Sequence, residues 1–241
     1  MAFPNKTVWV VLSVLVTEIA RGAPTPAEAL REAEAICRAD KASLWGVSLC
    51  GPMLLVDPAT RAVFANQPGA GNQLNAEGDI FVGKLPEQIN ISNSATEWSG
   101  TKWTMIMLPL PEASDRRAAL MAHEMWHRIQ ADIGLPQTPA ENGHLDARDG
   151  RFWLQLEWRA LSVALESKGA ARKEAARDAA IFRARRRELF PDAAKSEREL
   201  ELNEGLAEYT GVKLSGNPDP AGFVVRNELR EAPRQKTFVR S

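Results

Sequence analysis

Several residue types with specialised chemistry are scarce in this sequence. Its 241 residues include only three histidines, two cysteines and one tyrosine. Neither Cys37 nor Cys50 belongs to a CxxC pair or lies near a histidine, which argues against a cysteine-based zinc site. An excess of one charge is lacking too, since 30 basic and 31 acidic residues give a net charge of −1. We therefore expect no nucleic-acid partner, because binding a polyanion requires a basic surface.

Long hydrophobic runs are also missing. A membrane-spanning helix needs about 20 apolar residues, and the N-terminal run Val8–Val16 is much shorter. Lys6 precedes this run, and small residues follow it at Ala20, Gly22 and Ala23. This arrangement is typical of a signal peptide at 1–22. We therefore expect the mature chain to be periplasmic or secreted, with no stable membrane span. An uncleaved signal anchor is less favoured, and a buried N-terminal strand is the alternative interpretation.

The interpretation of the two cysteines depends on the N-terminus. If the chain is exported, it matures in an oxidising compartment, and a Cys37–Cys50 disulfide is expected. If residues 1–22 are not a signal, these are two buried thiols.

The rest of the chain changes character near residue 114. Before it, residues 26–39 favour a helix and residues 67–79 a loop, and apolar runs predict strands at Leu44–Leu49, Met53–Val56, Ala62–Ala65, Ile80–Val82, Ile89–Ile91 and Trp103–Leu110. After it, helices are predicted at about 114–132, 146–167, 170–189 and 195–212. The patterns indicate an α+β fold, with a small mixed β lobe at 23–113 and a mainly helical lobe at 114–241.

The segment His123-Glu124-Met125-Trp126-His127 is an HExxH motif. Two histidines four residues apart share one face of a helix, which is the spacing needed to hold one Zn²⁺ ion. Glu124 can reach a water on the metal and accept its proton, so we predict it to be the catalytic base. The motif lies in a predicted helix with an apolar stripe.

A catalytic zinc needs a third protein ligand. The segment Asn203-Glu204-Gly205-Leu206-Ala207-Glu208-Tyr209 offers Glu204, and Glu208 lies one turn further, where it can accept the free N–H of a ligating histidine. Gly205 would let this helix approach the histidine helix closely. The rival ligand is Glu157, which lies in an apolar helix; its alternative roles are an ion pair with an arginine from a neighbouring helix, or orienting the site without touching the metal.

These two segments together resemble the gluzincin zinc peptidases, whose third ligand is the first Glu of such a segment. The resemblance implies a zincin-like fold, with His123, His127 and Glu204 as ligands of one zinc ion and Glu124 as general base and acid. It also implies an edge strand at about 103–110 that binds an extended peptide, although a plain core strand is the alternative. About 76 residues separate the two motifs, far more than in M1-type aminopeptidases, so the pocket of those enzymes is not carried over.

Three further features have a functional and a structural interpretation. His144 could donate to an oxyanion, but an exposed loop histidine is favoured. Tyr209 could do the same, but packing beside Leu206 is favoured. The arginines at 183 and 185–187 could bind a membrane or nucleic acid, but a solvated helix face is favoured.

Taken together, the residues predict an exported zinc-dependent hydrolase that cleaves a peptide or protein substrate. The alternative is an inactive zincin-fold binding or scaffold protein with zinc retained or lost. Residues 221–241 lack a clear stop signal, so we expect a further segment or a partner to complete the cleft.

Overall fold

A capped helix begins the described part of the chain, which comprises residues 23–135 and 141–230 of the computed structural model. The predicted signal peptide at 1–22 lies outside these residues and stays a prediction. Helix α1 spans Pro26–Asp40, and Thr25 and Glu28 form a capping box at its start. Its buried stripe includes Leu30, Ala33 and Cys37, so α1 packs one apolar face on the protein core.

A mixed sheet follows α1. Its strands within the described residues are β1 Met53–Val56, β2 Ala62–Ala65, β3 Asn75–Glu77, β4 Ile80–Lys84, β5 Ser94–Trp98 and β6 Thr101–Met107. Their order across the sheet is β3-β4-β2-β1-β6-β5. Strands β1 and β6 are parallel, with Met53 opposite Thr104, and all other neighbours are antiparallel.

The sheet corrects the predicted edge strand. The strand predicted at about 103–110 is β6, which ends at Met107 and lies inside the sheet between β1 and β5. The edge on this side is β5, which the sequence analysis missed. Strands β5 and β6 are joined by Ser99-Gly100, both with positive φ (53° and 71°). A two-residue hairpin turn of the primed type requires such angles.

Two other predicted strands are wrong. The segments 44–49 and 89–91 are turns and irregular backbone, whereas the predicted loop at 67–79 contains β3. Apolar residues in these segments still contribute to the core: Leu49 is fully buried, and Ile89 and Ile91 pack against buried strand residues. Residues that are buried without strand pairing thus give the same apolar pattern as a buried strand.

Each face of the sheet covers a separate part of the core. On one face, Leu55 and Ile106 pack with α1 and with the next helix, α2 (Ser114–Gln130). On the other face, Leu54 and Met105 pack with Trp98, Trp103 and neighbouring apolar residues. Because side chains alternate along a strand, the central strands β1 and β6 serve both layers.

The remaining elements are helical. They are α3 Arg148–Glu166, α4 Gly169–Leu189, α5 Ala193–Leu200, a π-helical turn Glu201–Gly205, α6 Leu206–Leu214, α7 Pro220–Val224 and a second π-helical turn Val225–Leu229. Short 3₁₀ turns cover Ala131–Ile133 and Gly143–Asp146. None of the helices in residues 23–135 and 141–230 has the length and hydropathy to cross a membrane. The predicted α+β class is confirmed.

A disulfide lies close to the end of α2. Cys37 on α1 is bonded to Cys50, with their Cα atoms 5.1 Å apart. The guanidinium of Arg128 donates to the carbonyl oxygens of Leu49 (3.0 Å) and Cys50 (3.1 Å). The same guanidinium lies where a side chain at position 51 would be, and the glycine at that position leaves room for it. The disulfide loop and α2 are therefore held together.

Removing the disulfide should destabilise the fold. The double variant Cys37→Ala/Cys50→Ala frees a loop whose ends are 13 residues apart. We expect the free energy of unfolding in urea to fall by about 3 kcal/mol, the chain-entropy contribution of a loop of this length. Dithiothreitol should lower the stability of the wild type by a similar amount and leave the variant unchanged. Equal sensitivity of both proteins to dithiothreitol would contradict this account.

Candidate metal centre

Helix α2 brings His123 and His127 together. Its buried side packs Met121, Ala122 and Met125 into the core, which fixes the rotation of the helix. The two histidines lie one turn apart on an adjacent face, with ring centroids separated by 4.9 Å. Their side chains are 19% and 6% exposed, respectively. The HExxH spacing thus produces a pair of neighbouring imidazoles at the boundary of the core.

Glu204 approaches both rings. Its Oε2 atom lies 3.4 Å from Nε2 of His123 and 3.5 Å from Nε2 of His127, and the two Nε2 atoms are 3.1 Å apart. Ligands held at about 2.0–2.1 Å in a tetrahedral zinc site are about 3.3 Å from one another. The three donor atoms therefore have the mutual spacing of three corners of such a site. The Glu204 side chain is 46% exposed, so the group is open to solvent on one side.

The outer ring nitrogen of each histidine faces an acceptor. Nδ1 of His123 lies 3.4 Å from Oε2 of Glu208, and Nδ1 of His127 lies 3.1 Å from Oε1 of Gln130. Nδ1 is the protonated atom where it faces an acceptor, so Nε2 is left to bind a cation. Glu208 thus has the position predicted for it, beside the outer nitrogen of one histidine.

The electrostatics of this group favour a bound cation. Burial alone lowers the pKa of His123, but hydrogen bonds with Glu204 and Glu208 and the charge of Glu124 outweigh burial and raise it to about 10. Hydrogen bonds with the two histidines hold the pKa of Glu204 well below its usual range. The surrounding carboxylates thus stabilise a positive charge at His123.

Glu124 is a buried carboxylate without a hydrogen-bond partner for one oxygen. Its side chain lies on α2 beside the histidines, the residue is 4% exposed, and Oε2 accepts no hydrogen bond from the described residues. Burial raises its pKa, while the charges of His123 and His127 lower it. An unpaired carboxylate is costly to bury. Its free oxygen suits it to accept a proton from a small molecule such as water.

The π-helical turn Glu201–Gly205 carries Glu204 between α5 and α6. Such turns are rare and occur often at functional sites. On the α5 side of the turn, Glu197 and Glu201 bind arginines of α4. On the α6 side, Glu204 and Glu208 face the histidines.

Glu157 does not join the histidines. It is 2% exposed, and its Oε1 and Oε2 atoms accept hydrogen bonds from Nε of Arg183 and Nη1 of Arg186, both at 2.7 Å. The predicted role of Glu157 as a rival ligand is therefore not supported by its position, and its carboxylate is instead neutralised by two cations. The alternative interpretation, an ion pair with a neighbouring helix, describes its contacts.

The predicted solvated arginine face is correct for Arg185, which is exposed and pairs with Glu188 at 2.9 Å, but not for the other three arginines. Arg186 is 1% exposed and donates to Glu197 as well as Glu157. Arg187 donates to Glu197 at 2.8 Å, and Arg183 to Glu201 at 2.8 Å. We call these residues the arginine–glutamate cluster; its members are Glu157, Arg183, Arg186, Arg187, Glu197 and Glu201. The cluster joins α3, α4, α5 and the start of the π-helical turn.

His144 and Tyr209 were considered as oxyanion donors, with a structural role favoured for each. His144 is not an exposed loop residue: its side chain is 5% exposed, 3.1 Å from Glu197 and beside the ring of Phe190. Burial lowers its pKa, although Glu197 opposes the effect. Tyr209 is 48% exposed and packs its ring edge on Trp45, in line with the packing interpretation.

The close approach of the two helices depends on a different glycine from the one predicted. A Cβ atom at Gly205 would meet only Cβ of Glu201 at 3.7 Å, which is an ordinary contact. A Cβ atom at Gly211 would lie 2.6 Å from the carbonyl oxygen of Ala119. Gly211 thus allows α6 to approach α2, and the predicted explanation for Gly205 is wrong.

The sequence analysis also missed Gln130 and Asn203. Gln130 is 1% exposed and donates through Nε2 to Oδ1 of Asn203 at 3.0 Å. Asn203 in turn donates through Nδ2 to Oε1 of Glu204 at 2.9 Å. Only their positions in the sequence could have indicated these residues. Gln130 is three residues after His127, on a neighbouring part of the helix surface, and Asn203 directly precedes Glu204.

Comparison with known proteins adds no family assignment. No protein-family model, curated protein or solved structure matches the chain.

The two glycines should respond to alanine in opposite directions. At Gly211, alanine should lower the free energy of unfolding by about 1–3 kcal/mol, because the added methyl group overlaps a backbone carbonyl. At Gly205, alanine should leave stability unchanged or raise it by up to about 1 kcal/mol, the usual gain within a helix. Urea denaturation of both variants measures this, and a destabilised Gly205→Ala with a neutral Gly211→Ala would contradict the assignment.

Proposed function

We propose that this chain is a zinc-dependent hydrolase of zincin-like architecture that cleaves peptide bonds. One observation carries the proposal: three donor atoms, from His123, His127 and Glu204, lie 3.1–3.5 Å apart. On the same helix, Glu124 has a buried carboxylate oxygen without a hydrogen-bond partner among the described residues. A structural site has no need of that fourth group. This combination supports a catalytic metal centre over a structural one.

The chemistry of the donors supports zinc as the metal. Two imidazoles and one carboxylate form one of the ligand sets of catalytic zinc sites, which leave a position open. His123, His127 and Glu204 would hold the ion. Softer metals favour sulfur ligands and calcium favours oxygen ligands, and the group contains one carboxylate and no cysteine.

The proposed reaction is hydrolysis with Glu124 as proton carrier. When bound, zinc supplies Lewis-acid polarisation and lowers the pKa of water to about 7. Glu124 accepts the proton of the attacking water on its free Oε2 atom and passes it to the nitrogen of the leaving amine. The burial that raises its pKa suits a group that must both accept and return a proton near neutral pH.

The position of strand β5 supports a peptide substrate. No described strand pairs with the outer edge of β5, and β5 contacts α2, the helix of the two histidines. An extended peptide can add to such an edge through backbone hydrogen bonds. This assigns to β5 the role that the sequence analysis gave to the strand at about 103–110.

Export of the protein is part of the proposal. The disulfide between Cys37 and Cys50 is typical of proteins that mature in an oxidising compartment. It agrees with the predicted signal peptide at 1–22 and with a periplasmic or secreted location.

Metal analysis tests the ligand assignment. Glu204→Gln should abolish stoichiometric zinc, because a neutral amide is a poor replacement for the ligating carboxylate. Glu157→Gln should keep one zinc per chain while losing stability, since it leaves buried arginines without their partner. Glu188→Gln removes an exposed carboxylate of α4 that pairs with Arg185; it is the control and should keep its zinc. Full zinc occupancy in Glu204→Gln with loss in Glu157→Gln would assign the third ligand to Glu157.

A second variant tests catalysis. Glu124→Gln should retain one zinc per chain but lose about 10²–10⁴-fold in peptide hydrolysis, the usual contribution of a general base. Digestion of a diverse peptide library, followed by mass spectrometry, measures this. A zinc-loaded wild type that cleaves no peptide would favour the alternative, a zincin-fold binding or scaffold protein.

A further inference from the structure

A row of hydrogen bonds joins two of the candidate ligands from outside the metal group. It runs from Nδ1 of His127 to Oε1 of Gln130 (3.1 Å), from Nε2 of Gln130 to Oδ1 of Asn203 (3.0 Å), and from Nδ2 of Asn203 to Oε1 of Glu204 (2.9 Å). Helix α2 contributes the first two residues and the π-helical turn contributes the others. The row therefore spans the gap between the two ligand-bearing segments.

The direction of every bond in this row follows from its carboxylate end. A ligating carboxylate is ionised and only accepts, so Asn203 must turn its NH₂ group toward Glu204 and its oxygen toward Gln130. Gln130 must then offer its NH₂ group to Asn203 and its oxygen to His127. Nδ1 of His127 is left as the donor. The ionised carboxylate at one end thus determines the orientation of both amides.

The amide at the centre of this row, Gln130, is shielded from water. Gln130 is 1% exposed at the end of α2, where its backbone oxygen accepts a hydrogen bond from Leu135. A buried amide is costly unless both of its polar atoms are paired. In the described structure, Oε1 of Gln130 faces His127, which is a candidate metal ligand. Its Nε2 atom is connected to the other candidate ligand, Glu204, through Asn203.

We propose that Gln130 is a positioning residue that couples His127 to Glu204. It keeps Nε2 of His127 free for the metal, and through Asn203 it also holds the carboxylate of Glu204 toward the same point. Because one amide orients ligands from two segments, metal affinity depends on a side chain that does not touch the metal. This inference rests on the metal site of the proposed function.

Zinc affinity of the full chain tests the coupling. Gln130→Met preserves the volume of the side chain but neither donates nor accepts a strong hydrogen bond, and we expect the zinc Kd, measured by chelator competition, to rise about 10- to 100-fold. Asn203→Ala should raise it by a similar factor. The double variant should be no weaker than the worse single variant, because both changes break one row.

Controls separate positioning from packing. Gln155→Met on α3 should leave the zinc Kd within about twofold of the wild type. Circular dichroism and urea denaturation of the metal-free proteins show whether each variant is folded. If Gln130→Met does not fold, Asn203→Ala alone carries the test, because it breaks the same row at its other amide and should also raise the zinc Kd.

Two results would overturn the inference. An unchanged zinc Kd in folded Gln130→Met, with stoichiometric binding in the wild type, would leave the metal site intact and make Gln130 a packing residue. Failure of the wild type to bind zinc would remove the proposed function and this inference together.

Discussion

The candidate metal centre depends on how closely α6 can approach α2. At Gly211 the backbones come so near that a single methyl group would lie 2.6 Å from the carbonyl oxygen of Ala119. Glu204 is located on the turn that leads into α6, and Glu208 within α6. Since a carboxylate side chain is short, any increase in the separation of the helices would move both glutamates away from the histidines. A contact between uncharged backbone atoms therefore sets the positions of the charged side chains.

A second constraint acts from the opposite side. Arg183 and Arg186 hold α5 and the start of the π-helical turn through Glu201 and Glu197. The ion pair between Arg186 and Glu157 is buried, so the loss of either partner would leave an uncompensated charge. The cluster thus resists displacement of α5, which leads into the turn, more than exposed ion pairs would. The carboxylate ligand is positioned between this cluster and the helix contact.

Much of the fold and the three donors could be predicted, because they follow from short-range patterns. The α+β class, most helices and the HExxH spacing depend on residues within a few turns of one another. Strand β5 was missed because Ser94–Trp98 is short and largely polar, and its hairpin turn was the better signal. The partners of Glu157 and Gln130 could not be predicted, since Arg186 and Asn203 are 29 and 73 residues away. Such contacts follow from tertiary packing alone.

The π-helical turn has a consequence for the evolution of the chain. Glu197, Glu201, Glu204 and Glu208 are spaced by four, three and four residues, and in an uninterrupted α-helix they would form one stripe on one face. The wider turn changes the phase, so that the first two serve a structural partner and the last two a chemical one. Removal of one residue would rotate everything after it by about 100°. Apart from these four glutamates, the segment should therefore tolerate changes of residue type far better than changes of length.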